Sequence, residues 1–142
     1  MRMDSIEKRL APYRNKENLS CVGLDLDPRL MPHMEVSPPS CGVMNAASEL
    51  ACAYKPNLVL CEALATEGLR GLKKTPSRVP TGVRAMGNAS KGDIGANSEP
   101  CARSLLETLR FNAATLNPLR GQDAISSLTA CAERAVLINC KT

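Results

Sequence analysis

Charged and amide side chains follow the apolar runs of this chain at the points where those runs end. Their positions are Asp25 and Asp27, Lys55 and Asn57, residues 88–93, Asn117 and Lys141. The stretch NASKGDIGANSE, residues 88–99, has the character of a turn that leaves a strand and enters a helix, and it contains both an ammonium and a carboxylate. Such groups can stabilise developing charge and transfer protons. The sequence therefore predicts one site built from the ends of several strands.

The composition favours a small-molecule ligand over a nucleic acid or a membrane. A net charge of +4 is spread over 142 residues, and only 2% of the residues are aromatic, so stacking platforms for single-stranded nucleic acid are missing. No apolar run approaches the roughly 20 residues of a membrane span, and the polar start MRMDSIEKRL lacks the apolar segment of a secretory signal. We expect a cytoplasmic protein with no nucleic-acid or membrane partner, for which phosphorylated small molecules are plausible ligands.

The cysteine pattern argues against a zinc site and against a disulfide framework. The chain has seven cysteines, an odd number, and no CxxC pair occurs among them. Most are expected to be small buried hydrophobic residues in a reducing compartment. His33 is the only histidine, and it is expected to lie in a loop.

Apolar runs alternate with amphipathic stripes along the chain. The runs cover residues 20–26, 51–60, 83–86, 113–116 and 135–140, and most are continuous, as expected of parallel strands covered on both faces. Apolar residues at helical spacing occur within residues 61–72, 102–109 and 125–132. Ser98 and Gly121 are predicted to open the second and third of these helices. This order predicts right-handed βαβ units around a parallel sheet.

Two architectures fit this order, an open doubly wound sheet and part of a (β/α)8 barrel. Both place their sites at the carboxyl ends of the strands. No GxGxxG or GxxxxGK[ST] loop occurs, which disfavours a nucleotide-binding open sheet. The pattern of elements by itself leaves both architectures open.

Five short motifs follow one another along the chain: GLDLDP (residues 23–28), CAYKPN (52–57), KGDIG (91–95), TLNP (115–118) and CKT (140–142). In their order and spacing they resemble the orotidine 5'-phosphate decarboxylase family, most closely its bacterial-type branch. The resemblance implies a lyase of pyrimidine synthesis that converts orotidine 5'-phosphate to UMP and carbon dioxide. It also implies a TIM barrel that usually works as a homodimer and needs no metal or organic cofactor.

The resemblance covers the N-terminal half of such a barrel. The expected fold is an incomplete (β/α)8 TIM barrel of about five parallel strands with intervening helices. We expect a single domain over residues 1–142, with a helical lead-in at 1–19 and βα units at 20–142. From the resemblance we expect the loops that bind the substrate phosphate in the family to have no counterpart in residues 1–142. An unclosed parallel sheet exposes two edges, so the chain is expected to form a homodimer or to need a complementary barrel fragment.

The resemblance also assigns roles to individual residues. The family's ribose-contacting aspartate falls on Asp25, and the lysine beside the ribose falls on Lys55. The motif D-x-K-x-x-D-I falls on Asn88, Ser90 and Asp93, of which only the last agrees with the family. In the family the first aspartate crowds the substrate carboxylate, the lysine protonates the carbon left behind, and the second aspartate reaches across the dimer interface. A further substrate-binding position falls on Asn117.

The departures from the motif predict a site that binds the substrate but converts it poorly. Loss of carbon dioxide leaves a carbanion, which needs a preorganised positive charge and a proton donor. Ser90 is uncharged and a poor acid, and Asn88 removes the like-charge contact with the substrate carboxylate. A one-residue gap would bring Lys91 onto the lysine position. The alternative reading is a catalytically dead relative that binds a nucleotide monophosphate or a full-length partner.

The segment that leads into this turn reads as a weak strand. Residues 81–88, TGVRAMGN, place Arg84 inside an expected barrel strand. Gly82 and Gly87 are expected to weaken it further, because strand interiors favour β-branched and aromatic residues.

Overall fold

Strands and helices alternate along the part of the chain that the structure describes. The structure is a computed structural model, and it describes residues 19–25, 27, 29, 37–88, 95–131 and 134–140. The strands are β1 (Cys21–Leu24), β2 (Ala53–Pro56), β3 (Arg84–Asn88), β4 (Ala113–Leu116) and β5 (Ala135–Ile138). The helices are α1 (Ser37–Ala46), α2 (Leu58–Ala63), α3 (Ala65–Arg78), α4 (Gly95–Arg103) and α5 (Gln122–Thr129). A π-helical turn, Ser104–Thr108, continues α4, and a 3-10 turn, Pro118–Arg120, precedes α5.

Residues 1–18 and His33 lie outside the described residues, so the helical lead-in and the loop role of that histidine stay predictions. The domain boundaries stay predictions for the same reason.

The five strands are parallel and lie in chain order, β1-β2-β3-β4-β5. A doubly wound sheet reverses its strand order at a switch point. A barrel wall instead adds each strand beside the one before it. The observed order therefore decides between the two architectures, and the described strands form part of a (β/α)8 wall.

The sheet has two chemically different sides, because successive residues of a strand point to opposite faces. On the side that we call the outer face, Ala85, Ala114 and Leu116 form a buried cluster with residues of the helices and of Ser104–Thr108. On the other side, the inner face, Ala53, Met86 and Ala113 form a smaller cluster. The helices thus cover the outer face, and the polar residues two positions further along the strands share the inner face.

The apolar run at residues 51–60 is split between two elements. Its first part is β2, whereas its second part begins α2. Asn57 stands between them as the N-cap, and its Oδ1 accepts a hydrogen bond from the Val59 N–H at 3.1 Å. A continuous apolar run cannot distinguish a strand from a buried helix, which is why the run appeared longer than the strand.

The predicted start of α4 was wrong. The helix begins at Gly95, so Ser98 lies inside it and is 2% exposed. Gly121 does precede α5 as its N-cap, with φ of 89°, a left-handed conformation that favours glycine. The prediction for α5 is therefore confirmed.

Gly87 lies where β3 packs closely against two buried side chains of the outer face. A Cβ at this position would lie 2.9 Å from Leu105 Cδ2 and 3.3 Å from Phe111 Cδ2. Glycine therefore allows these two fully buried side chains to approach the sheet closely. Gly82 lies in the turn before the strand, with φ of 91°. Because Gly82 lies outside β3, the expectation that it weakens the strand is wrong, whereas for Gly87 that expectation stays a prediction.

Tyr54 of β2 is hydrogen-bonded to the last turn of α1. Its buried hydroxyl donates a hydrogen bond to the Met44 carbonyl oxygen at 2.7 Å, and burial raises the pKa of this phenol. The helical donor that would normally serve Met44, the Ser48 N–H, bonds to Asn45 instead. The Tyr54 hydroxyl therefore satisfies a carbonyl in the last turn of the helix.

Removal of this hydroxyl in Tyr54→Phe is expected to lower the free energy of unfolding by about 1–3 kcal/mol, because a buried acceptor loses its partner. Urea denaturation of the two proteins measures the difference. The phenyl ring keeps the packing, so equal stability of the variant would show that the hydrogen bond contributes nothing.

Candidate functional site

The predicted site residues that the structure describes lie at the carboxyl ends of neighbouring strands. Asp25 follows β1, Lys55 lies on β2, Asn88 ends β3 and Asn117 follows β4. Carboxyl ends of parallel strands meet at one edge of the sheet, so the topology brings these four residues to a common rim. Ser90, Lys91 and Asp93 lie outside the described residues, and their roles stay predictions.

Asp25 and Lys55 occupy adjacent positions on this rim. The Asp25 carboxylate folds back over Gly23, where an added Cβ would lie 2.5 Å from Oδ2. Gly23 is the register partner of Lys55 on the neighbouring strand. Among the residues that the structure describes, no carboxylate makes an ion pair with Lys55. An anion and a half-buried cation thus share the inner face of the sheet.

Asp27 differs from Asp25 although only one residue separates them in the sequence. Its carboxylate accepts hydrogen bonds from Arg29, with Nη2–Oδ2 at 2.6 Å and Nε–Oδ1 at 3.0 Å. The side-chain hydrogen bonds from Arg29 lower the pKa of Asp27 to about 2. This carboxylate is therefore ionised and already paired with Arg29 within its own loop.

Asn88 is paired across the strands with Thr115. The two are register partners in β3 and β4, and the Thr115 hydroxyl donates to Asn88 Oδ1 at 3.2 Å. Both side chains are half-buried, and they follow Met86 and Ala113 by two residues, which places them on the inner face. The side chain at the position of the expected carboxylate is thus a neutral amide held by a hydroxyl.

Asn117 has a structural contact that its assignment as a substrate-binding residue did not include. Its Oδ1 accepts a hydrogen bond from the Leu119 N–H at 3.0 Å and caps the 3-10 turn. Asn57 caps α2 in the same way. An asparagine between an apolar run and a helical segment is the sequence signal for this role, and it applied to both residues.

The cysteines do not form a reactive or metal-binding centre within the described residues. All seven are free thiols; Cys52 and Cys61 are buried, Cys21 and Cys140 are exposed, and the others are intermediate. The expectation that most would be buried was wrong, because several lie at the sheet edges or on helix surfaces. Burial, with the charges of Glu62 and Asp25, raises the pKa of Cys61 to about 11. No group of three or more His, Cys, Asp or Glu side chains in the described ranges could hold a metal ion.

The pKa of the Cys21 thiol depends on its burial and on the charge of nearby Lys55. Desolvation raises the pKa of its thiol, and the nearby Lys55 ammonium opposes that rise. In the register of β1 and β2, Cys21 pairs with Ala53 and Gly23 pairs with Lys55, so Cys21 and Lys55 share the inner face.

Within the described residues, none of the helices has the length and apolar character needed to cross a membrane.

Comparison with known proteins identifies the relatives of the chain. No protein-family model matches it. It is 38% identical over 138 residues to the orotidine 5'-phosphate decarboxylase of Roseiflexus castenholzii, covering 93% of this chain and 50% of that protein. It is 34% identical over 142 residues to the protein of the same name from Dehalococcoides mccartyi strain CBDB1, covering 99% and 52%. The chain spans about half the length of the curated relatives it matches.

Comparison with solved structures leads to proteins of the same kind. The chain matches the OMP decarboxylase of Leishmania donovani with a TM-score of 0.76 and 28% identity, over 98% of this chain and 53% of that one. It matches the UMP synthase of the same organism with a TM-score of 0.76 and 28% identity, over 98% and 30%. The five parallel strands in chain order thus match part of the barrel wall of these solved structures. Sequence and fold together show that the chain belongs to the orotidine 5'-phosphate decarboxylase family, with a coverage consistent with its N-terminal half.

Proposed function

We propose that the protein binds orotidine 5'-phosphate and its product UMP at the rim formed by Asp25, Lys55 and Asn88, and acts in the decarboxylation that relates them. The observation that carries this proposal is the placement of these three residues on one side of adjacent strand ends. The Lys55 ammonium lacks an ion-pair partner among the described residues and suits an anionic nucleotide. The Asp25 carboxylate can accept hydrogen bonds from ribose hydroxyls.

The proposed reaction breaks the bond between the pyrimidine ring and its carboxylate. Carbon dioxide leaves without the bonding electrons, the ring carbon keeps the electron pair, and a proton completes UMP. A like charge beside the substrate carboxylate and an ammonium beside the carbanion would accelerate these steps. Asn88 presents an amide instead of the first group, and Ser90 is not an ammonium, so we propose that binding exceeds turnover.

The neutral amide at position 88 also favours a second candidate, a catalytically dead relative. Such a protein would bind the nucleotide monophosphate at the same rim, or a full-length partner near Asp93. The two candidates share the binding site and differ in turnover. A spectrophotometric assay that follows the loss of orotidine 5'-phosphate separates them, since any enzyme-dependent turnover excludes the second.

Isothermal titration calorimetry with UMP tests the binding site through two neighbouring aspartates. Asp25→Asn is expected to weaken UMP binding by about tenfold or more, because a hydrogen bond to a charged acceptor contributes about 1.5–3 kcal/mol. Asp27→Asn is the matched control, since Asp27 already pairs with Arg29, and it is expected to leave the affinity unchanged. Equal losses in the two variants, or no heat with millimolar UMP, would contradict the proposed site.

We also propose a partner for the edges of the sheet, either a second copy or a complementary barrel segment. β1 and β5 are the edge strands, and Leu137 and Ile138 on β5 remain 41% and 49% exposed. An apolar parallel edge favours association. Light scattering of the purified chain is expected to show a species larger than the monomer, and a compact monomer with a cooperative melt would contradict this.

A further inference from the structure

We propose that a cleft between the end of α3 and the turn that leads into β4 binds a small organic phosphate. The cleft has a volume of about 600 Å³, which is within the usual range of small-molecule sites. Half of its lining residues share one face of α3, and the other half end the π-helical turn or follow it. They are Lys73, Pro76, Ser77, Thr108, Leu109 and Arg110.

The cleft lies at the end of the sheet opposite the candidate site. α3 ends at Arg78, ahead of β3, and Arg110 precedes the first residue of β4 by three positions. Both segments therefore lead into the amino ends of their strands, whereas the rim is formed at the carboxyl ends. A ligand in the cleft would not overlap with a nucleotide at the rim, so this inference does not depend on the proposed function.

Two cations determine the chemistry of the cleft. Lys73 and Arg110 are exposed, and neither makes an ion pair with a described residue. Glu107, which precedes Thr108 in the chain, does not line the cleft. The two helix ends contribute only about half a negative charge each, so the two full positive charges prevail. The ammonium, the guanidinium and the Thr108 hydroxyl can all donate hydrogen bonds to phosphate oxygens.

The apolar part of the cleft favours a ligand that is larger than a free anion. Pro76 and Leu109 lie beside the two cations. Small-molecule sites typically combine such apolar surface with a few polar groups that orient the ligand. A phosphate monoester offers both a charged group and an organic body.

The backbone at Arg110 is a further observation in favour of a ligand. Its φ is 60°, a left-handed conformation that is unfavourable for most residues other than glycine. Glycine is also the residue that usually follows a helix end in this conformation. An arginine that is held here without an ion pair among the described residues is the kind of backbone outlier that accompanies a binding role.

A nitrogen-15 NMR titration with phenyl phosphate tests the cleft. The backbone amides of residues 108–110 are expected to shift saturably, and inorganic phosphate is expected to bind at least about threefold more weakly because it has no apolar body. Lys73→Gln is expected to weaken the binding of phenyl phosphate by about five- to tenfold. Lys74→Gln is the matched control, since the neighbouring lysine does not line the cleft, and it is expected to leave the affinity unchanged.

Arg110→Gly separates binding from folding. Glycine adopts the left-handed backbone readily, so the midpoint of urea denaturation is expected to be equal or higher, while the affinity for phenyl phosphate is expected to fall by about five- to tenfold. Retained affinity in this variant would overturn the proposal, as would equal losses in Lys73→Gln and Lys74→Gln. Shifts that chloride reproduces at the same ionic strength, or an affinity for phenyl phosphate no higher than for inorganic phosphate, would also overturn it.

Discussion

The double variant Asn88→Asp/Ser90→Lys is expected to decarboxylate orotidine 5'-phosphate at least about 100-fold faster than the parent, because one well-placed electrostatic group typically contributes a factor of 100 to 1000. The introduced carboxylate would crowd the substrate carboxylate, and the ammonium would stabilise the carbanion and donate the proton. Asparagine and aspartate have nearly the same shape, and the Thr115 hydroxyl can donate to either. The end of β3 therefore does not need to move.

Single variants provide the controls for this gain. Asn88→Asp alone is expected to weaken binding of orotidine 5'-phosphate through like-charge repulsion without a comparable gain in rate. Lys91→Ala in the parent tests the one residue that could replace the missing ammonium: loss of a measurable parental rate would assign the proton to Lys91. A double variant no faster than the parent would contradict the assignment of positions 88 and 90, as would parental turnover indifferent to both Lys91 and Asp93.

A single methyl group at Gly68 is expected to destabilise the fold by about 3 kcal/mol or more, the range of strong steric lesions. A Cβ there would lie 1.7 Å from the Cys61 carbonyl oxygen and 2.9 Å from Leu64 Cβ. The Cys61 oxygen belongs to the backbone of α2 and accepts the Leu64 N–H, so it cannot retreat without opening the junction between α2 and α3. Urea denaturation of Gly68→Ala measures the loss.

Gly42→Ala is the matched control for this substitution. Gly42 also lies inside a helix, α1, but a Cβ there would meet nothing within 4 Å. Alanine is favoured over glycine in a helix interior by roughly 0.5–1 kcal/mol, so this variant is expected to be slightly more stable than the parent. Two variants with the same stability would show that the close approach of α3 to Cys61 does not constrain the fold.

The arrangement of the strands was predictable from the sequence because each buried parallel strand leaves a short apolar run. The run at residues 113–116 coincides with β4. The run at 51–60 misled only where Asn57 starts a helix, since apolar periodicity does not show which side chain caps the next element. The choice between a doubly wound sheet and a barrel wall required the strand order, which no local pattern contains.

The site was predictable as a set of strand-end positions but not as a set of contacts. The resemblance placed Asp25, Lys55 and Asn88 at the ends of consecutive strands, where the structure also has them. It could not distinguish Asp25 from Asp27, because the pairing of Asp27 depends on the conformation of the loop that brings Arg29 back. Thr115 was not singled out, since the register that sets it beside Asn88 is a tertiary property.

The order of the strands has a consequence for biosynthesis. Each described strand from β2 to β5 pairs with the one that precedes it in the chain, so none of these four pairings waits for a segment made much later. Contacts between segments close in sequence form with a small loss of chain entropy. The wall can therefore assemble in the direction of translation, and a nascent chain on the ribosome is expected to gain protease resistance in successive βα increments instead of in one late step.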